Sequence, residues 1–68
     1  MANSVFKKIQ LVGTSPNSFR EAVVNAIAKA SETEKNISWF EVVEHRGAVV
    51  DGKIYQYQVT VSVGIKIE

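Results

Sequence analysis

Residues 38–67 are SWFEVVEHRGAVVDGKIYQYQVTVSVGIKI, and this stretch decides the fold. Asp51-Gly52 stands near its centre, and this dipeptide favours a type I′ hairpin turn because both central residues of that turn need a positive φ. The flanking segments are rich in Val, Ile, Tyr and Phe, which are typical of strands. The sequence therefore predicts two long antiparallel strands, from about Ser38 to Val50 and from about Lys53 to Ile67.

The second of these strands alternates between apolar and polar residues, as expected of a strand with one buried face. The apolar set is Tyr55, Tyr57, Val59, Val61, Val63, Ile65 and Ile67, and the polar set is Gln56, Gln58, Thr60, Ser62 and Lys66. In the preceding strand Trp39 and Phe40 have opposite parity, so Trp39 points away from the helix if Phe40 faces it. Gly47 is predicted as the bulge or bend at which that strand switches faces.

A helix is predicted before the hairpin. Ser15 suits the N-cap with Pro16 as the first helical residue, and Ser18 with Glu21 offers a second capping box one turn later. Apolar residues then recur at spacings of three and four, to about Glu34. They are Phe19, Ala22, Val23, Ala26, Ile27 and Ala30.

A first strand is predicted over Val5–Val12, ended by Gly13, which makes the element order β-α-β-β and the class α+β. We expect residues 1–68 to form a single domain. Each hairpin arm would span roughly 40 Å, whereas a helix of roughly 18 residues is about 27 Å long. One helix would therefore leave part of the sheet bare. Self-association into a homo-oligomer would bury it, and a curled sheet that covers itself is the alternative.

Composition narrows the possible partners. Cysteine is absent and His45 is the sole histidine, so neither disulfides nor a cysteine- or histidine-built metal cage is expected. Eight basic and seven acidic residues give a net charge of +1, with no basic stripe for nucleic acid. No apolar run would span a membrane, and the first residues lack the apolar segment of a signal peptide. We expect a cytoplasmic protein with no nucleic-acid or membrane partner.

Catalysis is poorly supported. A Ser-His-Asp arrangement would have to use His45 and Asp51, and Asp51 is needed in the hairpin turn. Glu41 and Glu44 are predicted to face opposite sides of their strand, which would prevent them from acting as a pair. Phosphate-loop and dinucleotide glycine patterns are missing. The sequence therefore predicts a protein that is not an enzyme.

Trp39 is the residue that most suggests binding. On the polar face of a sheet its indole needs either a partner subunit or a flat ligand, with stacking worth about 1 kcal/mol beyond the area buried. Gln56 and Gln58 on the neighbouring strand offer amide donors and acceptors that suit the edge of a pyrimidine-type ring. From the residues alone, interface core and ligand platform both stay open for Trp39.

Three segments resemble the signature of the dodecin family. They are ISWFEVVE (37–44) followed by Arg46-Gly47, YQVTV (57–61) followed by Val63-Gly64, and VGTSP (12–16) followed by Ser18-Phe19. The resemblance extends over nearly the whole chain, from about Val5 to Glu68. It implies a βαββ protomer whose three-stranded antiparallel sheet wraps around the helix with the last strand in the centre. It also implies a closed homo-oligomeric shell of twelve subunits.

The resemblance further implies that flavin binds in pairs between tryptophans of neighbouring subunits. Trp39 would stack on the flavin, Gln58 would bond the isoalloxazine edge, and Arg46 would favour the phosphate-bearing FMN, with FAD or riboflavin as alternatives. Lys66 stands where similar sequences often have arginine. It keeps the charge but loses bidentate geometry, so a phosphate contact and a solvated strand end are both open.

The role implied by the resemblance is flavin storage or sequestration, with quenching of the bound flavin. Coenzyme A is a possible second ligand in this interpretation. The alternative function is a structural or partner-binding homo-oligomer without flavin. His45 and Gln56 receive no role.

Overall fold

The computed structural model describes residues 3–68 as a βαββ arrangement. Strand β1 spans Phe6–Ser15, helix α1 Phe19–Thr33, strand β2 Ile37–Val50 and strand β3 Lys53–Lys66. The sheet is antiparallel in the order β1-β3-β2, so the last strand is the central one. The predicted fold class, element order and central strand are thereby confirmed.

The hairpin turn forms as predicted. Val50 pairs with Lys53, which leaves a two-residue loop between the strands. Asp51 has a φ of 53° and Gly52 a φ of 75°. Both values lie in the left-handed region that a type I′ turn requires, and this turn matches the twist of the strands on either side.

The start of the helix differs from the first of the two predictions. Ser15 is not the N-cap but the buried last residue of β1, which runs past the predicted end at Val12. Ser18 is the cap, and its Oγ accepts the backbone N–H of Glu21 at 3.0 Å. The Glu21 carboxylate accepts the Ser15 hydroxyl at 2.6 Å and the Asn17 amide at 2.9 Å, and these two bonds lower the pKa of Glu21. The strand end and the helix start are thus tied together.

The core lies between one face of the helix and β3. Its buried members are alanines of α1 and branched residues of β3, namely Ala22, Ala26, Val59, Val61, Val63 and Ile65. Small helix side chains allow the helix to approach the sheet closely. At Gly13 of β1 the approach is so close that a Cβ would overlap the carbonyl of Ala22. Asn25 of the helix also donates to the carbonyl of Thr14 at 2.9 Å.

Helix α1 leaves much of the sheet uncovered. It packs on β1 and β3, and its first residue Phe19 reaches β2 at His45. The chain measures 57 × 20 × 14 Å, far longer than the helix. Phe40 of β2 is 50% exposed, and near the turn Val49 is 66% and Ile54 63% exposed. The expectation that one helix cannot cover the sheet is confirmed. No helix within residues 3–68 is long and apolar enough to cross a bilayer.

Substituting Gly13 by Ala tests the helix–sheet contact. The added methyl would overlap helix backbone, which cannot move without shifting α1. We expect the free energy of unfolding to fall by about 1–3 kcal/mol, measured by chemical denaturation at a fixed protein concentration. Gly52→Asn is the control, because a side chain there meets open space and Asn tolerates a positive φ. Equal stabilities of the two variants would contradict the proposed contact.

Candidate functional site

The face of the sheet that points away from the helix carries the candidate site. Val59, Val61 and Val63 point into the core, so the residues between them along β3 point to the other side. Paired residues of antiparallel strands share a face. This outer face comprises Gln56, Gln58, Thr60, Ser62, Gly64 and Lys66 of β3 with their partners on β1 and β2.

A bulge in β2 decides which of its side chains reach the outer face. Trp39 pairs with Gly64, and the register shifts between Val42 and Glu44, so Arg46 pairs with Gln58. Both Trp39 and Arg46 therefore lie on the outer face although their sequence parity differs. The shift that brings Trp39 and Arg46 to one face lies at Val43 and not at the predicted Gly47, although a further irregularity follows Gly47, between Ala48 and Val49.

The bulge has two further consequences. Glu41 pairs with Ser62 and Glu44 with Thr60, so both carboxylates lie on the outer face, and the prediction of opposite faces was wrong. His45 pairs with Val59 and points to the helix side, where its ring lies 5.0 Å from that of Phe19.

Trp39 lies flat on the backbone of β3. A Cβ built at Gly64 would overlap three atoms of the indole ring, so the indole packs directly on the backbone at this glycine. Phe6 of β1 flanks it with a ring-centroid distance of 5.0 Å and an interplanar angle of 57°. The indole remains 40% exposed. Gly64 therefore lies against one face of the indole, and a substantial part of the ring stays accessible from outside the chain.

An ion pair crosses β3 beside the indole. Lys8 of β1 and Glu41 of β2 meet across the central strand, next to Gly64 and the buried Ser62. A hydrogen bond from Lys8 and its positive charge hold the pKa of Glu41 below its ordinary value, and a hydrogen bond with Trp39 acts in the same direction. This carboxylate therefore stays ionised near neutral pH and remains paired with Lys8 beside the indole.

Arg46 and Gln58 form a second cluster on the outer face. The Nε–H of Arg46 donates to Oε1 of Gln58 at 2.7 Å. The Gln58 amide nitrogen then donates to Oε1 of Gln56 at 2.9 Å. Glu44 lies 3.7 Å from the other side of the Arg46 guanidinium. A chain of polar side chains thus connects β2 to β3.

The two clusters lie far apart within one chain. Gln58 is six positions along β3 from Gly64, the partner of Trp39. Six residues of a strand span about 20 Å. Lys66 is two positions beyond Gly64 and belongs to the Trp39 end, whereas Arg46 belongs to the Gln58 end. All four predicted site residues share one face, but the expectation that Trp39 lies beside Gln58 was wrong.

Several neighbours of the predicted site residues were missed from the sequence. Phe6 and Lys8 come from β1, and only the pairing register of β1 with β3 places them beside Trp39. Gly64 could have been singled out from the sequence, because it is a glycine at a position where the alternation of β3 predicts a polar side chain. Within residues 3–68 no three His, Cys, Asp or Glu side chains are grouped to hold a metal ion.

Comparisons with known proteins agree with this architecture. The sequence model of the Dodecin family matches residues 5–68. A curated dodecin from Thermus thermophilus is 41% identical over 64 residues, which cover 94% of this chain and 93% of that protein. The solved dodecin of Streptomyces coelicolor superposes with a TM-score of 0.93 at 38% identity, covering 100% of this chain and 97% of the other.

A third relative is named after calcium. The calcium dodecin of Mycobacterium tuberculosis is 31% identical over 64 residues, which cover 94% of this chain and 90% of that protein. Its solved structure is described as having a calcium-binding site and matches with a TM-score of 0.83 at 35% identity. The similarity of the protomers therefore does not by itself identify one ligand.

Substituting Gly64 by Ala tests the contact between Trp39 and the backbone of β3 at this glycine. The methyl group would displace the indole from β3, so we expect tryptophan emission at longer wavelength and stronger quenching by acrylamide. Trp39 is the sole tryptophan, so the signal reports this ring alone. Ser62→Ala, on the same strand and face, should leave the emission unchanged. Wild-type emission in Gly64→Ala would show that the indole does not rest on this glycine.

Proposed function

Because the chain belongs to the dodecin family, we propose that it is a non-enzymatic storage protein that binds flavin on Trp39 and quenches it. FMN is the proposed ligand, with FAD and riboflavin as alternatives. Residues 1–68 would act as one dodecin-like domain, and the proposed location is the cytoplasm. Binding without turnover is the function that the outer-face geometry supports best.

The observation that carries this proposal is the half-exposed indole of Trp39. Gly64 supports one face of the ring, Phe6 packs beside it, and 40% of the side chain is accessible. Such a prearranged aromatic surface loses little freedom when a planar ring stacks on it. An isoalloxazine ring is planar and aromatic, and the electron-rich indole is a suitable quencher of its excited state.

The distance between the clusters supports a site shared between subunits. An isoalloxazine ring is much shorter than the roughly 20 Å of strand that separates Trp39 from Gln58. One isoalloxazine ring cannot contact both residues of the same chain. We therefore propose that Trp39 and Gln58 reach the same flavin from different subunits, with a second Trp39 closing the stack.

The uncovered sheet supports assembly of copies. Phe40 and Val42 of β2 face the helix side but lie beyond the helix, and the hairpin end exposes Val49, Val50 and Ile54. Monomeric proteins rarely leave such contiguous apolar surface in water. A closed shell of twelve copies, as in the family's proposed assembly, would bury it without leaving open interfaces.

Arg46 and Lys66 are the proposed phosphate contacts. Arg46 lies at the Gln58 end of the outer face and Lys66 at the Trp39 end, so two subunits would present both charges to one ligand. A guanidinium suits phosphate through its fork of donors, and a lysine contributes a point charge. Coenzyme A as a second ligand stays a prediction from the family resemblance.

The second candidate function is a homo-oligomer that binds no flavin, in which Trp39 is interface core. The contact of Trp39 with Phe6 favours this reading, because it resembles packing between apolar side chains. The two functions differ in the effect of removing the indole. Ligand binding fails in the first case, and assembly fails in the second.

Titration with FMN tests the flavin proposal. Added to ligand-free protein, FMN should lose most of its fluorescence at saturation. Trp39→Ala should weaken binding by more than about tenfold because it removes the stacking surface. Trp39→Phe should bind with intermediate affinity and quench less. Lys29→Ala, on the exposed side of helix α1, is the control and should bind as the wild type does.

The FMN titration, combined with the mass of the Trp39→Ala variant by light scattering, separates the two functions. Unquenched FMN with saturating wild-type protein would rule out the flavin proposal. A Trp39→Ala variant that no longer assembles would instead support the interface role.

Light scattering tests the assembly. Twelve chains of 7.5 kDa give about 90 kDa, and we expect this mass for the wild type with or without FMN. The apolar surface that drives assembly belongs to the protein itself, so ligand removal should not dissociate it. A mass near that of one or two chains would contradict the shell.

A further inference from the structure

The Gln58 amide is held at both of its ends by neighbouring side chains. Its oxygen accepts the Nε–H of Arg46 at 2.7 Å, and its nitrogen donates to the oxygen of Gln56 at 2.9 Å. The Arg46 guanidinium also lies 3.7 Å from Glu44 on its far side. Gln58 therefore does not rotate freely on the outer face.

The chemistry of Arg46 determines which way the amide points. A guanidinium only donates hydrogen bonds, so the group facing it must be the amide oxygen and not the nitrogen. The nitrogen then faces Gln56, which can offer its oxygen in return. Each end of the Gln58 amide can make one further hydrogen bond. The nitrogen has a second N–H to donate, and the oxygen has a second lone pair to accept.

We infer that Arg46 is a positioning residue for the flavin ring as well as a phosphate contact. With Gln56 it fixes the donor–acceptor order that Gln58 presents to the isoalloxazine edge. This inference rests on the proposed flavin function. An amide that is free to flip would present either order, and fixing it before binding reduces the ordering that the ligand must impose.

The alternative role for Arg46 is purely electrostatic. In that case it attracts the phosphate of FMN, and the contact with Gln58 has no effect on the ring. A flavin without phosphate distinguishes the two roles. Lumiflavin has the isoalloxazine ring of FMN but neither its ribityl chain nor its phosphate, so any effect of Arg46 on lumiflavin must act through the ring.

The test measures lumiflavin and FMN affinities by fluorescence quenching in a double-mutant cycle of Arg46→Met and Gln58→Ala. Methionine keeps much of the aliphatic stem and removes every donor. We expect Arg46→Met to lower the affinity for lumiflavin about fivefold when Gln58 is present. The same substitution should not change this affinity when Gln58 is already Ala. The affinity for FMN should fall further than that for lumiflavin, because the contact of Arg46 with the FMN phosphate is lost as well.

Arg46→Lys is the second variant, and it guards against a folding defect. It keeps the charge but loses the forked donor geometry, so both affinities should fall, and FMN binding should fall less than in Arg46→Met because a positive charge remains for the phosphate. Light scattering of each variant should give the wild-type mass.

Three results would overturn the inference. Lumiflavin affinity unchanged in Arg46→Met, with weaker FMN, would assign Arg46 to the phosphate alone. If Arg46→Met lowered lumiflavin affinity equally with and without Gln58, Arg46 would act through the fold or the assembly and not through Gln58. Wild-type protein that binds neither flavin would overturn the proposed function, and this inference with it.

Discussion

The central strand β3 packs Val59, Val61 and Val63 against the alanines of helix α1, and this contact sets the direction of the side chains along the strand. Because residues alternate along a strand, burial of these valines turns the intervening positions to the opposite face. The pairing of β1 and β2 with β3 then selects which of their side chains join that face. The candidate binding surface is in this sense a consequence of core packing, since Trp39 rests on a glycine of the same strand that fills the core.

The size of the helix sets the second constraint. A helix of 15 residues cannot cover a sheet in a chain that extends 57 Å, and the hairpin projects beyond it with apolar residues exposed. The Trp39 and Gln58 clusters of the outer face lie at opposite ends of the stretch of β3 whose other face packs on the helix. Association with further copies would bury the exposed hairpin and could also bring the Trp39 cluster of one copy to the Gln58 cluster of another.

Local patterns in the sequence were sufficient to predict the turn at Asp51-Gly52, the helix and the alternation of β3, because each depends on neighbouring residues. The β2 bulge at Val43 depends on pairing with another strand, and neither residue type nor parity revealed it. The position of Phe6 beside Trp39 depends on the register of β1, which is a long-range contact. Predicting the helix, the strands and the turn was thus easier than predicting which of the candidate site residues lie close together.

The central claim is that one flavin contacts Trp39 of one subunit and Gln58 of another. A crystal structure of the protein grown with FMN tests this most directly. The account predicts an isoalloxazine ring stacked on the face of Trp39 that Gly64 does not cover, with the amide of Gln58 arriving from a neighbouring chain. A flavin that contacts Trp39 and Gln58 of one chain, or that binds away from Trp39, would contradict it.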